Sequence, residues 1–116
     1  PETQGNIEQT VVKEPVVVIS YTNEGYAPRE VNIKRGDTVR FTNNSTDQET
    51  WPASAVHPTH SIYPEKREGD CLGSSFDACR GLQSGESWDF TFSEVGEWRF
   101  HDHLHTAKTG IVNVSE

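Results

Sequence analysis

Short apolar runs in which every second residue is hydrophobic recur along the chain and are separated by turn residues. The alternating sets are Val31 with Ile33, Val39 with Phe41, Trp88 with Phe90 and Phe92, and Trp98 with Phe100. Alternation of this kind is typical of half-buried β-strands, because successive side chains of a strand point to opposite faces. Six or seven such strands with hardly any helical periodicity predict an all-β, Greek-key antiparallel β-sandwich or barrel.

The length of 116 residues is enough for one domain with one core. We expect residues 11–116 to form that domain and the polar residues 1–10 to be a flexible N-terminal lead-in. Residues 45–84 show no clear periodicity and contain three prolines and both cysteines. They predict a long middle loop, and irregular segments of this length in a compact domain are usually functional.

The charge balance limits the possible partners. The formal net charge is -8, from 10 Lys and Arg against 18 Asp and Glu. A chain with this charge repels phosphate backbones and anionic lipid surfaces, so we expect no nucleic acid partner and favour cations or basic proteins. No apolar run approaches the roughly 20 residues that a membrane-spanning helix needs, so we expect no transmembrane segment.

The two cysteines, Cys71 and Cys79, lie eight residues apart in a stretch that contains glycine and serine. Their spacing predicts a local disulfide, which in the loop-entropy account stabilises the fold by about 2.5 kcal/mol. The alternative is a pair of thiolate metal ligands, but the spacing is unlike the CxxC pattern of such sites. A disulfide indicates an oxidising compartment, so we expect a periplasmic or extracellular protein, either secreted or tethered to a membrane in its mature form.

All the histidines fall in two tight groups, namely His57 with His60, and His101 with His103 and His105. Residues two apart on a strand lie on the same face about 6.5–7 Å apart, so His101 and His103 can present two imidazoles to one metal. His57 and His60 offer a second pair, with Pro58 restricting the backbone between them. We therefore predict a metal site built from these five residues, and single histidines on the surface or in hydrogen bonds are the alternative.

Two residues near this strand have open roles. His105 joins the same face as His101 and His103 if the strand continues, whereas a turn at Leu104 redirects it. On a strand Asp102 faces the side opposite to His101 and His103. Three roles are open to it: a hydrogen-bond partner that orients a metal ligand, a ligand itself after local twisting, or an exposed side chain. A set of neutral imidazoles suits Cu(II), which the Irving-Williams order favours, with zinc as the alternative metal.

The order of features resembles the cupredoxin family. The resemblance covers nearly the whole domain from about Val16, with IKRGDTVRFTNN early and SGESWDFTFSEVGEWRFHDHLHTAKTGIVNV at the end. It implies a Greek-key β-sandwich with a copper site formed by a cysteine, two histidines and usually a methionine. In this alignment Asp102 occupies the cysteine position, His105 matches the histidine that follows, and the methionine position lies near Lys108.

The departures from that pattern change the expected site. The chain has no methionine, Cys71 and Cys79 lie in the wrong segment, and Trp51 stands near the position of the family's first histidine. The resemblance therefore does not imply a blue or green thiolate centre. The FHDH run is also similar to the His-Cys-His strand of multicopper oxidases, which are built from cupredoxin domains, and this second alignment implies that His101 and His103 are copper ligands.

These observations predict an extracytoplasmic copper-binding protein with a histidine-rich, thiolate-free site, for copper storage, delivery or tolerance. The alternatives are an electron-transfer cupredoxin with an atypical copper centre, a small copper oxidoreductase, and a metal-free or zinc-binding interaction module. Apart from Asp102 and Glu65, the sequence shows no general base or nucleophile set near the histidines, which favours a binding protein over an enzyme. The expected partners are a metal ion and a redox or copper-transfer protein.

Overall fold

The computed structural model describes residues 14–116, which fold into two four-stranded sheets. The strands are β1 (Pro15–Thr22), β2 (Gly25–Ala27), β3 (Glu30–Lys34), β4 (Thr38–Asn43), β5 (Pro52–Ser54), β6 (Ser87–Thr91), β7 (Gly96–Asp102) and β8 (His105–Ser115). The predicted all-β sandwich with a long middle loop is confirmed. The lead-in expected for residues 1–10 lies outside the described residues, and no helix within them is long and apolar enough to cross a membrane.

The two sheets differ from the prediction in strand direction. Their strand orders are β2-β1-β4-β6 and β3-β8-β7-β5. Neighbours pair in antiparallel fashion at β1–β2, β4–β6, β5–β7 and β7–β8, but β1–β4 and β3–β8 are parallel, so both sheets are mixed. Side chains alternate between the two faces of a sheet whether neighbouring strands run parallel or antiparallel. An alternating sequence therefore predicts a strand but not the direction of the strand beside it.

The core lies between the sheets and is rich in aromatic rings. Phe41 of β4 and Phe100 of β7 meet edge to face across it, with ring centroids 5.4 Å apart. The middle loop contributes two fully buried aromatic side chains to this core, Tyr63 and Phe76. Phe76 lies 4.9 Å from the ring of Phe92. Burying a phenylalanine contributes about 1.5–3 kcal/mol, so these two anchors hold the irregular loop against the sandwich.

The middle loop is also fixed by its own bonds. Cys71 and Cys79 form the predicted disulfide, with their Cα atoms 5.8 Å apart. The short strand β5 pairs with β7, and an isolated bridge joins Ala53 of β5 to Asp77 of the loop. The loop is therefore attached to the edge of the second sheet, beside the end of β7 that carries the histidines.

Candidate metal centre

The end of β7 places two consecutive side chains on opposite sides of its sheet. Phe100 belongs to the core, and His101 is 5% exposed on the other face, where it pairs in register with Ala53 of β5. The strand ends at Asp102, and the next two residues form the turn to β8. The backbone N–H of His103 donates to the carbonyl of Trp51 at 2.8 Å, which holds this turn against the segment before β5.

The other pair of histidines comes from a compact loop that follows β5. The N–H of Ala55 donates to the carbonyl of Arg99 on β7, and the N–H of Ile62 returns to the carbonyl of Ala55. Within this loop His60 has a φ of 57°, in the left-handed region that non-glycine residues seldom adopt. Such conformations cost free energy and cluster at binding sites, where the surrounding structure holds them.

The structure brings four of the five predicted residues together, namely His57, His60, His101 and His103. Each offers one ring nitrogen, and these four nitrogen atoms lie within 4.8 Å of one another. A metal that binds imidazole nitrogen at about 2.0–2.1 Å holds opposite ligands about 4.1 Å apart. The two most distant nitrogens would thus close by less than about 1 Å to lie opposite each other in a planar site, and by up to about 1.5 Å in a tetrahedral site, where ligands lie about 3.3 Å apart.

The chemistry of these rings suits a cation. The Nε2 atom of His101 is buried and has no hydrogen-bond partner among the described residues. Burial, followed by the electrostatic effect of the neighbouring histidines, lowers the pKa of His101 to about 4. Burial also lowers the pKa of His103, and His60 and His57 add to the effect. Both rings are therefore neutral near pH 7, and neutral imidazole is the form that binds a metal.

His60 is the most enclosed member of the cluster. Its side chain is fully buried, and its Nδ1 lies 2.7 Å from Oδ2 of Asp77, which is also fully buried. Its other ring nitrogen, Nε2, lies 3.1 Å from Nδ1 of His103. Trp51 also borders the cluster, because its ring lies 4.4 Å from that of His103 and its indole N–H donates to Asp77 at 2.6 Å. His57 is exposed, so the cluster opens to solvent on its side.

His105, the fifth predicted residue, lies outside this group. Its Nδ1 is 3.0 Å from Oδ2 of Asp102, while Oδ1 of Asp102 accepts the backbone N–H groups of Trp51 and Leu104. The turn at His103 and Leu104 redirects His105, which was one of the two predicted outcomes. Asp102 is fully buried and accepts hydrogen bonds that shape the turn, and no hydrogen bond among residues 14–116 joins it to the rings of the four clustered histidines.

The cysteines and Asp77 form a second group of potential ligand atoms. Cys71, Asp77 and Cys79 each offer one atom within 4.8 Å of the others. Both sulfur atoms are bonded to each other in the disulfide, so neither is a thiolate. The thiolate-ligand alternative raised by the sequence therefore does not apply to this form of the protein.

Sequence reasoning missed Asp77 and gave Trp51 no role in the cluster. Asp77 lies 17 positions after its partner His60 along an irregular stretch of chain. No periodicity relates the two positions, and the only local signal is that Asp77 lies two residues before a cysteine. Trp51 was identified as a departure from the family pattern, and the structure places it beside His103.

Comparison with known proteins identifies the fold. No protein-family model matches the sequence, and no curated protein matches it. Among solved structures, a variant of amicyanin in its reduced Cu(I) form has a TM-score of 0.66 at 19% identity, covering 92% of this chain and 88% of that chain. A purple cupredoxin from Nitrosopumilus maritimus has a TM-score of 0.65 at 20% identity, covering 85% of this chain and 99% of that chain.

These similarities confirm the predicted cupredoxin-like class, since both proteins match across most of their length. At such low sequence identity the similar structures establish the fold alone. The metal ligands are inferred from this chain's own residues. The ligand set differs from the family pattern, because the sequence has no methionine and both cysteines are joined to each other. The chain has the cupredoxin fold, with a cluster of four histidines that could bind a metal in place of a thiolate centre.

Proposed function

We propose that this protein binds one copper ion, as Cu(II), through His57, His60, His101 and His103, and that it stores, delivers or sequesters copper outside the cytoplasm. The observation that carries the proposal is the convergence of four imidazole nitrogens within 4.8 Å of one another, together with the buried Nε2 of His101, which has no hydrogen-bond partner among residues 14–116. An unpaired buried polar atom costs about 1–3 kcal/mol, and when Nε2 carries the lone pair a bound cation removes that cost.

Copper is proposed over zinc because of the donor set. Nitrogen ligands bind divalent first-row metals in the Irving-Williams order, in which Cu(II) stands highest. The similar amicyanin structure holds copper as Cu(I). Here the imidazole-only set favours Cu(II), since the soft sulfur ligands that suit Cu(I) are absent from the four-histidine group.

A role in storage, delivery or tolerance is supported by the access to the cluster. His57 is exposed, and a cavity of about 260 Å³ is lined in part by His57 and His101. A metal bound there can be reached by a small chelator or by another protein without unfolding of the domain. We propose a copper-transfer or redox protein as the partner, and the acidic net charge of -8 favours one with a basic docking surface.

The location outside the cytoplasm is proposed from the Cys71–Cys79 disulfide. Structural disulfides persist in oxidising compartments and are rare where thioredoxin and glutathione keep thiols reduced. Alkylation of free thiols in fractionated cells tests this point. Protection of both cysteines in the periplasmic or secreted fraction is expected, and a reduced pair in the cytoplasmic fraction would contradict it.

The experiment for metal binding begins with protein purified without added metal. Elemental analysis and titration with Cu(II), followed by electron paramagnetic resonance, should give one copper per chain with an axial, nitrogen-rich signal. Loss of a residue that hydrogen-bonds a metal ligand typically lowers metal affinity about 10–100-fold. His60→Ala and His103→Ala remove the ligands themselves, so each should lower the affinity for Cu(II) by more than this. His105→Ala is the matched control, because it removes a neighbouring imidazole outside the cluster, and it should bind copper like the wild type.

The outcomes separate the proposal from its alternatives. Unchanged affinity in both His60→Ala and His103→Ala would refute the site. Loss of binding in His105→Ala, with the other variants unaffected, would place the metal at Asp102 and His105. Stoichiometric zinc, with no copper, in protein isolated from cells grown with both metals would overturn the assignment of copper.

A further inference from the structure

The carboxylate of Asp77 is the centre of a buried hydrogen-bond network beside the histidine cluster. Its Oδ2 lies 2.7 Å from Nδ1 of His60, and neither side chain is exposed. Its Oδ1 accepts two N–H groups, the indole N–H of Trp51 at 2.6 Å and the backbone N–H of Cys79 at 2.8 Å. Both carboxylate oxygens are therefore occupied by donors.

We infer that Asp77 is a positioning residue that holds His60 in the tautomer with the proton on Nδ1, which leaves the Nε2 lone pair available to a metal. This inference rests on the proposed function and extends it beyond the four ligands. A carboxylate oxygen only accepts hydrogen bonds, so Nδ1 of His60 must donate. In a neutral imidazole the other nitrogen, Nε2, then has no proton, and Nε2 is the atom that lies 3.1 Å from His103 Nδ1 inside the cluster.

Asp77 is itself held in place from several sides. A bridge joins it to Ala53, the residue of β5 that is in register with His101 of β7. The next residue, Ala78, donates its N–H to the carbonyl of Pro52 at 2.9 Å. Cys79 has a φ of 64° and is tied to Cys71 by the disulfide. If the carboxylate rotated away from His60, the N–H donors of Trp51 and Cys79 would lose their acceptor.

Asp77→Asn is a sharp test because asparagine has nearly the same shape but only one accepting oxygen. The amide oxygen is expected at the Oδ1 position, where two N–H donors converge. The amide NH2 then faces Nδ1 of His60 and requires it to accept. The imidazole proton moves to Nε2, and this nitrogen can no longer bind a metal. Asp70→Asn is the matched control, since Asp70 belongs to the same loop and its carboxylate accepts from the backbone N–H of Arg67 and the hydroxyl of Ser75, with no hydrogen bond to a histidine among residues 14–116.

The first measurement is made on the metal-free protein. Long-range ¹H–¹⁵N correlation spectra at neutral pH report which nitrogen of each histidine carries the proton, and His60→Ala assigns the signals of His60. We expect the Nδ1–H tautomer in the wild type and in Asp70→Asn, and the Nε2–H tautomer in Asp77→Asn. A purely structural role for Asp77 would not move the proton between the ring nitrogens.

The second measurement is the affinity of the same three proteins for Cu(II). Loss of the partner of a metal-bound histidine typically lowers affinity about 10–100-fold, and we expect this for Asp77→Asn. Asp70→Asn, which changes the net charge equally, should bind copper like the wild type. The electron paramagnetic resonance spectrum of Asp77→Asn should also change, because one nitrogen ligand is lost or altered.

Three results would overturn the inference. They are an Nε2–H tautomer of His60 in the wild type, an unchanged tautomer in Asp77→Asn, and wild-type copper affinity in an Asp77→Asn variant whose tautomer has changed. The first can be read from the wild type alone, so the inference remains testable even if the variant does not fold. If the tautomers behave as expected but the wild type binds no copper, the proposed function fails and the assignment of Asp77 to the His60 tautomer is supported.

Discussion

Replacing His101 with leucine should stabilise the metal-free protein while it weakens copper binding. His101 is 5% exposed and its Nε2 has no partner among residues 14–116, so the folded state carries the cost of an unsatisfied polar group. That cost is about 1–3 kcal/mol, and leucine is close to histidine in volume and removes it. For a chain of this length, 1 kcal/mol corresponds to a melting-temperature shift of about 4 °C, so the expected increase at pH 7 is about 4–12 °C.

The stabilisation should grow in mild acid. The pKa of His101 is lowered from 6.5 to about 4 in the folded protein, so between these values the unfolded state binds more protons and the wild type loses stability as the pH falls. At pH 5 this cost is about 1–2 kcal/mol after allowance for solvent screening, and it is nearly absent at pH 7. The difference in free energy of unfolding between His101→Leu and the wild type should be larger at pH 5 than at pH 7 by that amount.

Thermal unfolding of chelator-treated protein at both pH values measures these differences. His57→Leu is the control, because His57 is exposed and its substitution should change the melting temperature little. If His101→Leu melts at or below the wild-type temperature at pH 7, and the gap does not widen at pH 5, then Nε2 is satisfied in the metal-free protein. The reasoning that assigns it to a cation would then be wrong.

Other substitutions test the scaffold around the cluster. Joint replacement of Cys71 and Cys79 by serine should lower the free energy of unfolding in urea by about 2.5 kcal/mol, from the loop-closure entropy of a short loop, and a loss near zero would contradict that account. Asp102→Ala removes the acceptor of two backbone N–H groups, so we expect a loss of about 2–5 kcal/mol in the same assay. In Gly110→Ala the new Cβ would lie 2.4 Å from the ring of Phe100. Overpacking of this kind typically costs about 1–3 kcal/mol, so we expect a lower melting temperature. A wild-type melting temperature would show that the ring moves freely.

The sequence predicted the parts of the site that depend on local spacing. His101 and His103 were expected on the same face of a strand; both reach the cluster, but β7 ends at Asp102, so His103 reaches it from the turn. The second pair was expected from its three-residue spacing around Pro58. These relations involve neighbours in the chain, which keeps each pair close together, whereas the directions of His103 in its turn and of His60 with its positive φ depend on the surrounding structure.

The contacts that depend on the long loop could not be predicted in this way. Tyr63 and Phe76 enter the core from a stretch without periodicity, and Asp77 meets His60 through tertiary packing alone. The parallel pairing of β1 with β4 was missed for a related reason, since an alternating pattern does not encode the direction of the neighbouring strand. His105 was left open because its direction depends on a two-residue turn whose conformation the spacing does not determine.

The contact between Trp51 and His103 gives the protein a built-in optical reporter. The two rings lie 4.4 Å apart, so a Cu(II) ion at the cluster would be close to the indole and would quench its fluorescence. Trp88 and Trp98 pack against the core between the sheets and should respond less. Copper loading and release could therefore be followed in real time with the unmodified protein, and Trp51→Phe would identify the part of the signal that comes from this ring.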